Sequence, residues 1–188
     1  MTTATAPHAR FVQNVSSGWL TRRWYYTPKS HRAYSVRQIS PGDRRLLAEF
    51  ALALNQSATE RDLAALRDLS DMLFDRVLAG GSDQAAGFAA LESTGGGDRI
   101  IGVCAYAPQS LESATFGVAV AVTHRDEQVG RILMATLVRH AKRVGIRRLT
   151  SEMHWSNRPM HLLAQALGFS IEPVARDRML RRLSLGLK

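Results

Sequence analysis

A chain of 188 residues with 45% hydrophobic and 22% charged residues suits one globular domain with an extension, because that length supplies one well-buried core. The single cysteine, Cys104, excludes an internal disulfide, and its apolar surroundings fit a small core residue. No apolar run approaches the roughly 20 residues of a spanning helix, and the amino terminus lacks a secretory h-region, so a cytoplasmic location without a membrane partner is expected.

The formal charge of +9 is unevenly placed. Arg10, Arg22, Arg23, Lys29, Arg32 and Arg37 precede residue 43 without one acidic neighbour, whereas residues 43–188 carry 19 basic and 16 acidic residues. Trp19, Trp24, Tyr25 and Tyr26 interleave these charges, as stacking residues do in nucleic-acid binders. The reading favours instead an arm, residues 1–33, that docks its rings on its own domain or on a second copy, giving a homodimer.

In chain order, Tyr34 to Ile39 alternates as a first strand. Ser40-Pro41-Gly42-Asp43 opens a helix to about Leu54, with Leu46, Leu47, Phe50 and Leu54 on one face. A second helix follows from the cap Ser57 through Leu63, Leu66, Leu69, Leu73 and Val77 and stops at Gly80-Gly81. Gly87–Glu92 and Ile100–Ala107 flank T-G-G-G-D as a hairpin. From Val118 the chain alternates: strand 118–122, helix 131–144 with Ile132, Leu133, Leu137, Ala141 and Val144 as its core stripe, strand 149–154, helix 157–167 and a last strand from about Met179 to Leu187. This order argues an α/β (α+β) fold with a mixed sheet and parallel pairing late in it.

A strand that turns directly into a helix gathers free backbone N–H groups and a partial positive charge at one point. The turn T-H-R-D-E-Q-V-G before Arg131 is therefore a place for an anion, most naturally a phosphate.

The turn Arg125-Asp126-Glu127-Gln128-Val129-Gly130 and the later Asn157, Met160, Leu163, Gly168 and Phe169 resemble the two signatures of the GNAT superfamily of N-acetyltransferases, over residues 35–187. The I-x-P-x-D start at Ile39 and the run Ala141–Leu149 are similar to bacterial protein lysine acetyltransferases. The resemblance implies a GNAT-like domain over residues 34–188 that moves acetyl from acetyl-CoA, as cosubstrate, to a protein lysine or small amine, with no metal. It implies pantetheine along Val120 and Val122, pyrophosphate at Arg125, Gln128, Val129, Gly130, Arg131 and Ile132, and a cofactor-side or capping Asn157.

This sequence departs from the family pattern at informative places. Gln128 stands where a small residue is usual, Asp126 and Glu127 add negative charge beside the expected pyrophosphate, Ala164 replaces a frequent tyrosine acid, and Thr115 falls where a strand glutamate is expected. The candidate bases are Glu112, Glu152 and His154, with His124 more distant. The same departures keep open a second reading, a GNAT fold that binds acyl-CoA or a macromolecule without turnover.

Overall fold

The computed structural model describes residues 10–15, 22–27, 32–57, 67–79, 85–125 and 127–188. The strands are β1 (Arg10–Val15), β2 (Arg22–Thr27), β3 (Arg32–Gln38), β4 (Ala86–Thr94), β5 (Gly97–Pro108), β6 (Ser113–Val120), β7 (Arg148–His154), β8 (Ser170–Val174) and β9 (Asp177–Gly186). The longer helices are α1 (Arg44–Ser57), α2 (Val129–Arg143) and α3 (Arg158–Ala166). The strands form one sheet in the order β1-β2-β3-β4-β5-β6-β7-β9-β8.

Pairing is antiparallel from β1 to β6 and again from β7 through β9 to β8. Among the described residues the one parallel pair is β6 with β7, joined through α2. The fold is thus the expected mixed α/β sheet, with its parallel part confined to that pair. Strands β1 and β2 fall within residues 1–33 and continue the sheet outward from β3. Tyr25 stacks on Tyr34 with ring centroids 5.7 Å apart, while Trp19 lies outside the described residues.

The two faces of the sheet carry separate cores. One holds Tyr34, Phe88, Ile101, Phe116, Leu133, Leu137, Leu149 and Leu183 beneath α2 and α3. The other packs Leu47, Phe50, Leu69, Leu73, Leu91 and Val103 beneath α1 and the helical segment 67–77. Cys104 is fully buried in the first core, as its apolar neighbours suggest. Alternation along β6 divides it between the cores: Ala114, Phe116, Val118 and Val120 face α2 and α3, and Ala119 faces the other way.

Several boundaries differ from the sequence reading. The strand expected at 118–122 begins five residues earlier and ends at Val120, because period-two alternation already holds from Ser113. Val122 instead opens a short 3-10 turn to His124 and is 47% exposed. Helix α2 starts two residues earlier than expected, and Val144 caps it as an exposed residue outside the core stripe. The helix expected from Pro41 begins with a 3-10 turn, Pro41–Asp43. Its Asp43 accepts hydrogen bonds from the Ser40 N–H and Oγ at 2.8 and 3.0 Å and from both Arg37 guanidinium nitrogens at 2.6 Å.

The second predicted helix is described only from Arg67, and Leu63, Leu66 and Gly80-Gly81 lie outside the described residues. Within it, Met72–Val77 is a π-helix, closed by the Leu78 N–H to the Leu73 carbonyl at 2.9 Å. Strand β8 was not legible: S-I-E-P-V is short, carries Pro173, and its side chains are mostly exposed, as suits the sheet edge it occupies.

Candidate active site

Strands β6 and β7 pair over only three positions, Ser113–Arg148, Ala114–Leu149 and Thr115–Thr150. Beyond Thr115, β6 runs on to Val120 while β7 pairs with β9 alone, so the edges of the two strands part and leave backbone groups facing a cleft. The cleft measures about 1900 Å³ and is lined by β6 from Thr115 to Val120 and β7 from Arg148 to His154, with the turn before α2 at one end.

That turn leads directly into α2 through an unusual backbone conformation. Gln128 adopts the left-handed conformation, φ 61° and ψ 5°, and is the one non-glycine residue with positive φ among the described residues. A side chain there costs on the order of 1 kcal/mol or more, so its surroundings must hold it. The first helical hydrogen bond of α2 runs from the Ile132 N–H to the Gln128 carbonyl at 3.0 Å, leaving the N–H groups of Val129, Gly130 and Arg131 ahead of it at the positive end of the helix. A Cβ on Gly130 would meet Leu163 and Val120 side chains at 3.5 Å, an ordinary contact, so crowding inside the fold does not demand glycine.

His124, in the same turn, is 1% exposed and docks the turn onto β3 and β4. Its Nε2 lies 3.1 Å from Arg32 Nη1 and 3.5 Å from Glu92 Oε1, and Nδ1 meets Thr123 Oγ1 at 2.9 Å. Burial works against ionising Glu92, but hydrogen bonds from Arg99 and His124 hold its carboxyl below the usual range. Glu127 is absent from the cleft lining, and its Oε2 is buried on the protein side. Asp126 lies outside the described residues.

Of the residues expected to hold a cosubstrate, Val120, Arg125, Gln128, Val129, Gly130, Arg131 and Asn157 line the cleft. Val122 and Ile132 do not: the strand has ended before Val122, and Ile132 packs on the core under α2. Asn157 caps α3, its side-chain oxygen accepting from the Met160 N–H at 3.1 Å.

The candidate bases separate by position. Glu112 is outside the cleft lining, at the closed end of the β6–β7 pair, exposed and 3.3 Å from Arg147. Glu152 and His154 line the cleft. Glu152 accepts from Arg176 at 2.5 Å and from Arg182 at 3.2 Å. The Nδ1 of His154 accepts from the Ser156 N–H at 3.3 Å and lies 2.7 Å from Ser156 Oγ, which places the neutral ring's proton on Nε2. Cross-strand register aligns Thr115, Thr150, Ser184 and Ser170 in one row and Glu152, Arg182 and Glu172 in the next, all in the lining. Asp68, Asp71 and Asp75 of the helical segment 67–77 line it as well. Sequence reading missed these, although their i, i+3, i+7 spacing already puts them on one helical face.

Comparison with known proteins agrees with this architecture. The sequence model of the Acetyltransferase (GNAT) family matches residues 48–169. The chain is 29% identical over 169 residues to Acetyltransferase PA5475 of Pseudomonas aeruginosa, covering 86% of this chain and 89% of that protein. Its fold is that of the GNAT domain of S. lividans PAT, with TM-score 0.64, 18% identity, and 92% of this chain and 99% of that one covered. The structure of yncA from Salmonella typhimurium with its cofactor acetyl-CoA matches with TM-score 0.56 and 19% identity, over 82% of this chain and 94% of that one. The splayed strands, the turn into α2 and the match over most of the domain have one explanation: the chain belongs to the acetyltransferase (GNAT) family.

Proposed function

We propose that the chain moves an acetyl group from acetyl-CoA to a primary amine, a protein lysine or a small amine, by direct attack within a ternary complex. One observation carries this reading. The opening between β6 and β7 ends at the amino terminus of α2, so an extended arm bonded to the free β6 edge would deliver its diphosphate to the helix. In this reading the main chain of Val118 and Val120 takes the pantetheine. The N–H groups of Val129 and Gly130 take the pyrophosphate, with Arg125 and Arg131 supplying positive charge and the Asn157 amide adding a donor. Gly130 leaves room for a close approach to the backbone.

The amine attacks the thioester carbonyl, the C–N bond forms as the C–S bond breaks, and the thiolate leaves with the electron pair. Glu152 accepts the proton the amine must lose, directly or through water, and the His154 Nε2–H donates a hydrogen bond to the departing sulfur. Their shared place in the lining supports these roles, as does the exclusion of Glu112 from it. A cytoplasmic location accords with the buried free thiol of Cys104.

Calorimetric titration with acetyl-CoA tests the reading first, and absence of heat at millimolar ligand would sink it. Thiol release across a panel of lysine peptides, polyamines and small amines then identifies the acceptor. Binding without thiol release would mark a fold that holds acyl-CoA without turnover.

A further inference from the structure

The turn that would receive the pyrophosphate is docked on β3 and β4, and one of its two docking points is unfinished. His124 makes the first, through Arg32 and Glu92. Glu127 makes the second. Its Oε2 is buried without a hydrogen-bond partner, and so is the hydroxyl of Tyr34, a residue 1% exposed. Tyr34 pairs directly with Glu92, so it stands on the same sheet face that receives His124. Both orphans belong to the corner where the turn meets the sheet: Glu92, the cross-strand partner of Tyr34, is 3.5 Å from His124, three residues before Glu127, and burial, then Tyr25, then the charge of Glu127 raise the Tyr34 pKa far above its ordinary value. The phenol therefore stays protonated and remains a donor, and the buried Glu127 oxygen is an acceptor in need of one.

We propose that Tyr34 is a positioning residue for acetyl-CoA, its hydroxyl donating to the Glu127 carboxylate as the anion seats on the turn, so that Gln128 is held left-handed and the α2 amides converge. This inference rests on the reading of the turn as a pyrophosphate site. The direction of the coupling follows from charge. A pyrophosphate at the turn repels Glu127 and drives it inward toward Tyr34, so the ligand and the Tyr34–Glu127 hydrogen bond stabilise one another, and the coupling is reciprocal. Gln128 supplies the need for such a hold, since a left-handed residue with a side chain persists only where its neighbours fix it. The arrangement also explains how a turn with Glu127 in its sequence can serve an anion: the carboxylate is kept behind the backbone.

The test is acetyl-CoA binding by calorimetry, with steady-state kinetics, on the full chain and on Tyr34→Phe, Gln128→Gly, the double variant, Glu127→Gln and Glu127→Ala. Tyr34→Phe is expected to raise Kd and KM for acetyl-CoA about tenfold, the loss of one hydrogen bond to a charged group, with kcat within about twofold and no fall in Tm. In the Gln128→Gly background the same change is expected to cost less than about threefold, because glycine holds the left-handed turn without the anchor. Glu127→Gln keeps an acceptor and is expected to bind at least as tightly as the parent, whereas Glu127→Ala behaves like Tyr34→Phe. Wild-type affinity in Tyr34→Phe would overturn the proposal, since a mere buried orphan is removed without effect on ligand. An equal penalty in both backgrounds, or a fall in kcat at constant KM, would overturn it too. Should the parent protein itself fail to bind acetyl-CoA, the pyrophosphate reading falls, and this inference with it.

Discussion

Glu152 of β7 and Arg182 of β9 are direct cross-strand partners, joined at 3.2 Å, and Arg176 from the β8–β9 turn closes on the other carboxylate oxygen at 2.5 Å. The carboxylate is therefore fixed in place on the cleft floor instead of sweeping through solvent. A proton acceptor so positioned is worth about 10²–10⁴-fold in rate. Glu152→Gln keeps the shape and removes the basicity, so kcat for thiol release is expected to fall at least about 100-fold, with KM for acetyl-CoA unchanged. A kcat within twofold of the parent would clear Glu152 of the role.

The contact between Arg37 and Asp43 predicts acid sensitivity. Burial alone would push the Asp43 carboxyl up, but hydrogen bonds from Arg37 and Ser40 outweigh it and hold the carboxyl below the usual carboxylate range. A depressed carboxylate stabilises the fold fully above its unfolded value, near pH 4, and loses that contribution as pH falls through the lower native value. Chemical denaturation should therefore show stability falling below about pH 4, with Asp43→Asn flattening that limb. The same variant is expected to cost about 3 kcal/mol at neutral pH, because it leaves Arg37 half-buried beside a neutral group.

How far the sequence could be read depends on where each feature's information resides. Period-two and helical patterns are local, so β3, the β4–β5 hairpin, α2, β7 and α3 were legible within one to three residues. The turn between β6 and α2 was legible too, because a strand, a turn and a helix follow one another in the chain. What was not legible is register. Nothing in the sequence places Arg182 opposite Glu152, or Tyr34 opposite Glu92, because those meetings depend on how β3 and β9, distant in sequence, line up in the sheet. The π-helical step at Met72 likewise leaves no mark in the spacing of apolar residues, since Leu69 and Leu73 reach the same core that an α-helix would give them.

The conformation of Gln128 makes a stability prediction independent of catalysis. Replacing a left-handed non-glycine residue by glycine removes strain in the native state, and Gln128→Gly is expected to raise stability by about 1 kcal/mol despite glycine's greater freedom when unfolded. Gln128→Ala keeps the Cβ and should change stability by only a few tenths of that. Urea unfolding of both variants decides it: equal stabilities would mean the turn is not strained.

Gly117 sets how closely the acidic wall of the cleft approaches β6. A Cβ there would stand 3.0 Å from Leu69 Cδ1 and 3.3 Å from Leu69 Cβ. The terminal methyl can rotate aside, but the Leu69 Cβ is fixed to the helix backbone, so the segment carrying Asp68, Asp71 and Asp75 must itself shift. Overpacking of this kind costs about 1–3 kcal/mol, and Gly117→Ala is expected at the low end with Gly117→Val at the high end. We propose that Asp68, Asp71 and Asp75, which line the cleft from the face away from α2, border the amine acceptor, so the functional consequence separates the two substrates. The helical segment 67–77 lies on the sheet face opposite α2, so its displacement should raise KM for the amine severalfold while KM for acetyl-CoA stays near the parent value. An increase confined to acetyl-CoA would mean that the acidic segment does not border the acceptor.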